Sequence, residues 1–579
     1  MSRDLSPEQE EIVVLPLKPI AVTACAGSGK TKTAVHRLAE MRRLHGTSPG
    51  LIALLSFSNV AVNTFAKEYS AVVRSRAAVG RTFAVEIDTM DGFITTNVLR
   101  PHGHRVMKCS RVPYLVDGRE PFLNSFTVFH GSRNHLTSEM GIELKAGVFR
   151  FTLPPSPQAL VVNRAVAALA KLGEVGAYTH ASARYWVVRT LREQPFVLRA
   201  LTRRYPHILV DEAQDIGPEH QAILELLISQ GTQVSLIGDT HQGIYEFARA
   251  NGAFLRGYGA RDEVDDRSLT VNYRSAPSIV RVANNLTNRS DRAARDEPAG
   301  HHGAYYMPFK PNERINALAS FQSMLGSAGV DVRDGVILCR SADWAVEWSG
   351  GEDGQGQGVV RDFANSAISR DHQGDFHQAF SHGCAGVVGV LVPDRGDLMS
   401  AIARGSRPAE IALRRAIWSF VRDPDAGLPA SSLVADTAWH SLLCERVRAL
   451  LSRLEAEFGL MPAENLGRRL ARTKLDNRPL AKAPDLAQLD VARFRVSTVH
   501  KVKGESLEAV MYVAKKAHVR ALLNGTGSEE GRIGYVALTR ARKLFVLAVP
   551  EANLTEFAAG LEGIGLRRVG LPTATPLAS

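Results

Sequence analysis

Residues 24–31 read ACAGSGKT and lie between an apolar run, IAVT at 20–23, and a segment with helical spacing, AVHRL at 34–38. The order of strand, glycine-rich loop and helix predicts a phosphate-binding loop. Its small residues let backbone N–H groups curl around phosphates, and the N-terminus of the helix adds positive potential. We expect Lys30 to reach the β- and γ-phosphates of a nucleotide and the Thr31 hydroxyl to bind Mg²⁺. The alternative is a Gly/Ser turn with an incidental lysine.

An acidic pentad follows a second apolar run and indicates how bound phosphates would react. The run is YPHILV at 205–210, and DEAQD occupies 211–215. The pattern predicts a short buried strand with carboxylates at its end. Phosphoryl transfer needs mainly a placed metal and a placed water, so we expect Asp211 to hold Mg²⁺ through water and Glu212 to orient and deprotonate the attacking water. The alternative is a solvated acidic loop.

The composition indicates a globular chain of several domains that suits a polyanionic partner. The chain has 579 residues, 45% of them hydrophobic, and its 70 basic and 59 acidic side chains give a net charge of +11. No apolar run approaches the roughly 18 residues of a membrane span, and the N-terminus has no hydrophobic signal region. The five cysteines show neither pairing nor metal-site spacing. We therefore expect a cytoplasmic protein without membrane association.

The distribution of apolar runs predicts two α/β parts, each interrupted by a segment of different character. The first interruption is rich in Gly, Pro, Arg and His and contains short aromatic strands, and the second is mostly helical. The predicted parts are the first domain at 1–95 and 176–268, its insertion at 96–175, the second domain at 269–349 and 490–568, its insertion at 350–489, and a disordered tail at 569–579.

Further motifs, in chain order, give the sequence a resemblance to the UvrD/Rep family of superfamily 1 helicases. They include LSPEQ at 5–9, LSFSN at 55–59, GDTHQGIYEF at 238–247, NYRS at 272–275, VHKVKGE at 499–505 and VALTRA at 536–541. A lone phosphate loop also fits kinases, GTPases and transporters, but this series fits very little else. The resemblance implies an α/β fold with two RecA-like P-loop NTPase motor domains, each carrying an inserted subdomain, and ATP with Mg²⁺ as cofactors.

The resemblance also implies how the adenosine end of ATP is held. Gln9 would pair with the adenine edge, and the ring of Tyr273 would cover the adenine. The acidic residue that binds the ribose in the family aligns with Ser506, one place after Glu505, which we retain as the ATP-binding candidate. The phosphates would lie on the loop formed by Ala24, Cys25, Ala26, Gly27, Ser28, Gly29, Lys30, Thr31 and Lys32.

Three residues would complete the hydrolytic site from outside the phosphate loop and the pentad. By resemblance, Gln242 senses the γ-phosphate, while Arg274 and Arg540 reach it from the second domain. The predicted catalytic set is Lys30, Glu212, Gln242, Arg274 and Arg540.

A separate set of residues would contact single-stranded DNA. By resemblance, aromatic faces at Phe57, Tyr245 and Phe247 would stack on bases, and stacking tolerates any sequence and suits a motor. The alternative for Phe57 is a core phenylalanine. Phe247 stands where the family usually has tryptophan, and Asp91 stands where it has a histidine. The other predicted contacts are Ser58, Asn59, Thr89, Thr498 and His500.

The sequence thus predicts an ATP-dependent DNA helicase or translocase that moves on single-stranded DNA, 3′ to 5′ by resemblance, and unwinds duplex. Its partner would be single-stranded or tailed duplex DNA. One alternative is a partner-dependent translocase with little unwinding of its own, such as the helicase component of an anti-phage defence or repair complex that works with a nuclease or another protein. Another is an ATPase that uses the nucleotide as a switch.

Overall fold

The computed structural model describes residues 5–75, 85–116, 120–131, 133–153, 156–244, 252–297, 301–349, 355–371, 374–392, 398–399, 402, 408–480 and 494–569. The chain forms two compact units, residues 1–338 together with 499–579, and residues 339–498. Among the described residues, no helix is long and apolar enough to cross a membrane.

The described strands alternate with helices over much of the chain. The strands are β1 (Ile20–Ala24), β2 (Ile52–Ser56), β3 (Val85–Thr89), β4 (Tyr114–Leu115), β5 (Thr127–His130), β6 (Arg133–Leu136), β7 (Gly141–Lys145), β8 (Val148–Leu153), β9 (Ser156–Ala159), β10 (Ala177–Tyr178), β11 (His207–Val210), β12 (Gln233–Gly238), β13 (Asp265–Leu269), β14 (Val271–Asn272), β15 (Arg292–Ala293), β16 (Gly303–Phe309), β17 (Gly335–Cys339), β18 (Arg495–Thr498), β19 (Leu507–Val513), β20 (Ala541–Pro550) and β21 (Arg567–Arg568). The α-helices are α1 (Pro7–Val14), α2 (Lys30–His45), α3 (Asn59–Ser75), α4 (Met90–Ile94), α5 (Arg100–Met107), α6 (Val162–Glu174), α7 (His180–Glu193), α8 (Pro195–Arg204), α9 (Pro218–Ser229), α10 (Ala253–Gly259), α11 (Pro277–Thr287), α12 (Arg314–Ser327), α13 (Ala342–Trp348), α14 (Val359–Asp371), α15 (Phe376–Gly389), α16 (Pro408–Arg422), α17 (His440–Phe458), α18 (Leu466–Arg469), α19 (Lys516–Leu523), α20 (Glu529–Arg540) and α21 (Leu554–Gly563).

The first sheet is parallel and has the strand order β13-β1-β12-β11-β2-β3. Its central strands are continuous apolar runs because helices cover both faces of a parallel sheet. Ile20, Leu54 and Ile208 are among the fully buried side chains of these strands. All strands end at the same edge, so the segments that follow β1, β2, β3, β11 and β12 meet there. In open α/β sheets this edge is where ligands bind.

A second parallel sheet lies in the same unit, with strands ordered β17-β19-β20-β16-β21. Its core includes Tyr306, Tyr512 and Phe545, each at most 1% exposed. Val569, the first residue of the predicted tail, donates its N–H to the Tyr306 carbonyl at 3.0 Å. The rest of that tail lies outside the described residues. The architecture is therefore mixed α/β with parallel sheets, as the sequence predicts.

The segment predicted as the first insertion contains antiparallel strands. β5 and β6 form a hairpin, and β7, β8 and β9 form a second small sheet. The short aromatic strands predicted for this segment are FTVF at 126–129 and VFRF at 148–151. They overlap β5 and β8, which confirms that prediction. Val128 and Phe151 belong to one hydrophobic core with Trp186 of α7. The exact limits of this predicted insertion stay a prediction.

The second unit, residues 339–498, is mostly helical in its described parts. Its core includes Phe363, Trp439 and Leu443. A buried arginine organises it, since the Arg370 guanidinium donates to the carbonyls of Val421 and Leu428 at 2.9 and 2.7 Å. The Arg370 side chain also pairs with its neighbour Asp371. The boundaries predicted for the second insertion stay a prediction.

A buried arginine on α2, the helix after the phosphate loop, also binds the end of α1. Arg37 of α2 is fully buried and donates to the carbonyls of Val13 at 3.1 Å and Pro16 at 2.7 Å. Val13 lies in the last turn of α1, where helix geometry leaves carbonyls without intrahelical partners, and Pro16 lies just beyond the helix. Burial lowers the pKa of Arg37 to about 10. These hydrogen bonds from Arg37 therefore fix the position of α1 relative to α2.

Because a histidine is buried on β11, we predict that the folded protein becomes less stable in acid. Burial, then the positive charges of His45 and Arg37, lowers the pKa of His207 to about 4 from an ordinary 6.5. Because the folded-state pKa is depressed, the neutral ring stabilises the fold above pH 6.5, and this stability is lost as the pH falls towards 4. At pH 5 the loss is about 2 kcal/mol. We expect His207→Phe to reduce the fall in melting temperature between pH 7.5 and 5.0 by several degrees.

Calorimetry at the two pH values checks this expectation. His301→Phe is the matched control, because His301 is an exposed histidine of the same unit. An equal fall in melting temperature in the His207 variant and the native protein would contradict the assignment.

Candidate functional site

The phosphate loop leaves the end of β1 and enters α2 at Lys30. Gly27 and Gly29 have φ values of 70° and 79°, a left-handed backbone that favours glycine. Gly27 is also closely approached, since a Cβ there would lie 2.6 Å from Cβ of Arg274. Of the predicted loop, Ala24, Cys25, Ala26 and Ser28 are buried, while Gly27, Gly29, Lys30, Thr31 and Lys32 are half-buried. The loop therefore has the conformation that a phosphate cradle requires.

Gln9 packs against this loop. Its side-chain N–H donates to the Ser28 carbonyl at 2.8 Å, and its side-chain oxygen accepts from Ser6 N–H at 3.1 Å. Gln9 is 3% exposed. These bonds use the amide that was predicted to read adenine. Base pairing by Gln9 stays a prediction, and it would require the amide to exchange its bond to Ser28 for one to the base.

The acidic pentad forms a tight turn after β11. Glu212 has φ 54°, an uncommon value for a residue with a side chain. Asp215 N–H donates to the Glu212 carbonyl at 2.8 Å and closes the turn. The Gln214 side-chain amide donates to the Glu212 carboxylate. Backbone strain of this kind persists only where the surroundings fix it, and it is frequent at active sites.

Electrostatics separate the two predicted carboxylates of the pentad. Burial, then repulsion from Glu212, raises the pKa of Asp211 to about 8. Burial also acts to raise the pKa of Glu212, but the cations Lys30 and Lys503 outweigh it and the net shift is downward. Glu212 is therefore held as a carboxylate, the form that can accept a proton from water.

Gln242 is the centre of a buried hydrogen-bond relay between the two sheets. The segment after β12 carries Asp239, whose carboxylate accepts the Gln242 amide N–H at 2.7 Å. On the other side, the Arg540 guanidinium donates to the Gln242 side-chain oxygen at 2.8 Å. Asp239, Gln242 and Arg540 are all at most 2% exposed. Burial lowers the pKa of Arg540.

The second predicted arginine enters from the segment after β13. Asn272 accepts the backbone N–H groups of Arg274 and Ser275 at 2.8 and 2.9 Å, and Tyr273 N–H donates to the Gly27 carbonyl at 2.9 Å. Arg274 donates to the Thr539 carbonyl at 3.0 Å, next to Arg540. Burial, then the charge of Arg540, lowers the pKa of Arg274 to about 9. Two arginines and Gln242 are thus brought together.

The two remaining nucleotide candidates differ in surroundings. Tyr273 is 40% exposed, so its ring is accessible to a flat partner. Glu505 is half-buried, and its backbone carbonyl accepts from the Arg540 guanidinium at 3.3 Å. Binding of ribose by Glu505 and of adenine by Tyr273 stay predictions.

Predicted DNA contacts lie after β2 and β3, at the same sheet edge. Phe57 is half-buried, and its ring meets His220 edge-to-face with centroids 5.7 Å apart. Ser58 and Asn59 are exposed, and Ser58 caps the start of α3 by accepting Ala61 N–H at 3.2 Å. Thr89 caps α4 in the same way, accepting Gly92 N–H at 2.9 Å. Their capping and packing are structural, and DNA contact stays a prediction.

Asp91, at the position of the family histidine, is bound within the protein. Its carboxylate accepts two bonds from Arg184 at 2.9 and 2.7 Å and one contact from His220 at 2.9 Å. Burial acts to raise the pKa of Asp91, but these two partners hold it well below its usual range. A carboxylate repels a phosphate, so we do not expect Asp91 to make the DNA contact predicted for the histidine of the family.

The other DNA candidates are distributed over both units. Thr498 is buried in the second unit. In the first unit, the His500 ring contacts the Ile244 carbonyl at 3.1 Å. Tyr245 and Phe247 lie outside the described residues. All four stay predictions.

Comparison with known proteins shows which family part of this chain is similar to. The UvrD/REP helicase N-terminal domain matches residues 5–139 and 174–257, which include the phosphate loop, the pentad and Gln242. The chain is UvrD/Rep-like.

Named relatives of this UvrD/Rep-like chain are distant. ATP-dependent DNA helicase UvrD2 of Mycobacterium tuberculosis is 23% identical over 584 residues, covering 93% of this chain and 77% of that protein. DNA helicase II of Haemophilus influenzae is 23% identical over 337 residues, covering 52% and 44%. DNA helicase II of Escherichia coli is 23% identical over 316 residues, covering 50% and 41%. The chain therefore spans under half the length of the two helicase II relatives.

The predicted magnesium ligands of the UvrD/Rep-like site fit that ion. Asp211 Oδ1 is buried without a protein hydrogen-bond partner, which leaves an acceptor oxygen for a cation or its water. Mg²⁺ in nucleotide sites takes one or two carboxylates and completes its shell with phosphates and water. Among the described residues there is no group of three or more His, Cys, Asp or Glu that could hold a metal ion. Thr31 and Asp211 remain the predicted ligands.

Three buried residues of the UvrD/Rep-like site had no role assigned from sequence. Gln214 joins Glu212 to the segment after β12, because its side-chain oxygen accepts Asp239 N–H at 2.9 Å. Lys503 pairs with Asp215. Gln214 and Asp215 belong to the acidic pentad, and Lys503 belongs to the motif VHKVKGE. Their position inside these motifs was the sequence feature that could have identified them, because no residue spacing relates them.

Proposed function

We propose that this chain is an ATP-hydrolysing motor that moves along single-stranded DNA and unwinds duplex, in the 3′ to 5′ direction. The observation that carries the proposal is the buried bond between Gln242 and Arg540. This bond joins the segment after β12 of the first sheet to the residue just before β20 of the second sheet. It belongs to the hydrogen-bond network that contains Glu212. A pure nucleotide switch does not need this complete hydrolytic set.

Each predicted catalytic residue has one task in this proposal. Glu212 orients the attacking water and accepts its proton, because Glu212 is ionised and a carboxylate oxygen is free of a proton of its own. Lys30 neutralises phosphate charge from the start of α2, where backbone N–H groups also point at an anion. Arg274 and Arg540 stabilise charge that develops on the transferred phosphoryl group. Bound Mg²⁺, held by Thr31 and Asp211, would supply Lewis-acid neutralisation of phosphate oxygens.

Coupling to DNA follows from differential contacts. Gln242 and the two arginines would grip the γ-phosphate only while it is attached, so ATP and its products favour different arrangements of the two sheets. The segment from Gln242 leads directly to Tyr245 and Phe247, the predicted base-stacking residues. Alternating grip and release on bases would then move the protein along one strand.

The decisive experiment measures ATP hydrolysis with and without single-stranded DNA, followed by strand displacement on 3′- and 5′-tailed duplexes. We expect DNA to stimulate hydrolysis and the 3′-tailed duplex to be unwound. Lys30→Ala is the inactive control. Stimulated hydrolysis without displacement on either substrate would support the partner-dependent translocase instead, and hydrolysis that ignores DNA would contradict the motor.

A prediction concerns the exposed ring of Tyr273. We expect Tyr273→Ala to raise the KM for ATP roughly 5- to 140-fold, since a ring stacked on a base contributes about 1–3 kcal/mol. The kcat should change little, because the phosphate contacts remain. Tyr273→Phe keeps the stacking face and should behave like the native protein. Steady-state kinetics on the three proteins check this, and an unchanged KM in Tyr273→Ala would remove the ring from adenine binding.

A further inference from the structure

A buried ion pair joins the second sheet to the acidic pentad. Lys503 lies in the loop that enters β19, and Asp215 ends the pentad turn. Lys503 Nζ is 2.5 Å from Asp215 Oδ2, and the two side chains are 8% and 4% exposed. The two residues are 288 positions apart in the chain. The charge of Lys503 helps to lower the pKa of Glu212, but none of the catalytic tasks proposed above uses the contact between Lys503 and Asp215.

Stability alone does not explain such a pair. Removing two charges from water costs several kcal/mol per ion, and apolar side chains of similar volume often serve a fold as well or better. Breaking the pair on one side is costly, because it leaves an uncompensated buried charge. A pair of this kind is therefore better suited to fixing a position than to holding the fold together.

The position that it fixes is the turn that carries Glu212. Asp215 N–H donates to the Glu212 carbonyl at 2.8 Å, so the anchored residue closes the turn. Glu212 has a left-handed backbone that needs support from its surroundings. Gln214, between them, donates to the Glu212 carboxylate. A shift of Asp215 would therefore be transmitted directly to the carboxylate that orients water.

The loop of Lys503 also reaches the arginine side of the site. Two residues further along, the Glu505 carbonyl accepts from Arg540 at 3.3 Å, and Arg540 donates in turn to Gln242. One short loop thus contacts both the pentad that carries the water-activating residue and the arginine that faces the γ-phosphate. It can set the distance between the two halves of the hydrolytic site.

We propose that Lys503 is a positioning residue for hydrolysis, which holds Asp215 and thereby the Glu212 turn in register with Arg540. The inference deepens the proposed function and rests on it, because the affected step is ATP hydrolysis. Lys503 itself touches neither the nucleotide nor the attacking water in this assignment.

The test is a double-mutant cycle on the pair. We expect Lys503→Met and Asp215→Asn each to lower kcat roughly 10- to 100-fold, since a misplacement of about 1 Å can cost a hundredfold in rate. The KM for ATP and the affinity for a fluorescent ATP analogue should stay within about twofold. The double variant removes both charges, so its loss should be smaller than the product of the two single losses.

A matched control separates the effect of breaking this buried pair from the effect of removing a lysine charge elsewhere in the same unit. Lys516→Met breaks a pair with Glu556 of 2.7 Å in the same unit, but there the side chains are 47% and 40% exposed, and kcat should not change. An unchanged kcat in Asp215→Asn or Lys503→Met would overturn the inference, as would losses that multiply in the double variant. So would a fall in analogue affinity that matches the fall in kcat. If Lys503→Met does not fold, the conservative Asp215→Asn variant decides the outcome by the same criteria.

Failure of this inference differs from failure of the proposed function. If the native protein hydrolyses no ATP with or without DNA, the proposed function fails. If the native protein is active, Lys30→Ala is inactive and both pair variants match the native kcat, only the positioning assignment fails.

Discussion

Glu212→Gln is expected to abolish ATP turnover while leaving nucleotide binding intact. The substitution keeps the size of the side chain and an oxygen that can accept the Gln214 amide bond. It removes the group that accepts a proton from water, and general bases contribute about 10²- to 10⁴-fold in rate. Removing the negative charge of Glu212 also removes its repulsion of the ATP phosphates, so nucleotide binding should not weaken. Single-turnover hydrolysis beside a fluorescent-nucleotide titration measures the two effects separately.

Two further variants serve as comparisons for Glu212→Gln. Lys30→Ala should lose nucleotide affinity as well as turnover, because a phosphate counter-charge is removed. Glu225→Gln is the matched control, since Glu225 is a carboxylate on α9 of the same unit that pairs with Arg261 and is 35% exposed. Near-native hydrolysis by Glu212→Gln would remove Glu212 from the catalytic assignment.

Arg540→Ala is expected to lower kcat by about a thousandfold or more, with a much smaller loss of ATP affinity. The reason is that charge on the transferred phosphoryl group changes in the transition state, and Arg540 is one of the two arginines that we propose to contact this group. The variant also leaves Gln242 without its partner across the sheets. Steady-state kinetics and a nucleotide titration check the split between rate and affinity.

Lysine is not expected to rescue this variant. Arg540 donates at the same time to Gln242 and to the Glu505 carbonyl, a geometry that needs the planar guanidinium fork. Arg520→Ala is the matched control, because Arg520 is 56% exposed and pairs with Glu556. Full activity in Arg540→Lys, or equal losses of rate and affinity in Arg540→Ala, would rule out the catalytic role.

The parallel sheets could be predicted because buried strands are continuous apolar runs. IAVT became β1 and YPHILV became β11, whose strand begins at His207 after Pro206, a residue without an N–H to donate. The glycine loop was predictable for the same local reason, since only a few residue types adopt its backbone. Local chemistry thus accounts for the strands and the glycine loop.

Contacts between distant segments were not predictable from local pattern. Arg540 and Gln242 are 298 positions apart, and no periodicity relates them. Gln9 illustrates a different difficulty, because the motif suggested that its amide faces a ligand and the fold uses that amide to hold Ser28. The same holds for Asp91, whose partners Arg184 and His220 come from two other helices.

The burial of Cys25 has a chemical consequence for the phosphate loop. The thiol is 2% exposed, and burial, then repulsion from Asp291 and Asp239, raises its pKa to about 12 from an ordinary 9.0. The thiolate is the species that reacts with alkylating agents and with peroxide. The ionised fraction at neutral pH is therefore lower by about a thousandfold than for an ordinary cysteine. Cysteine-directed electrophiles would therefore react slowly with Cys25, and mild oxidation would leave it unchanged. The loop that is expected to bind phosphate thus contains a thiol of low reactivity.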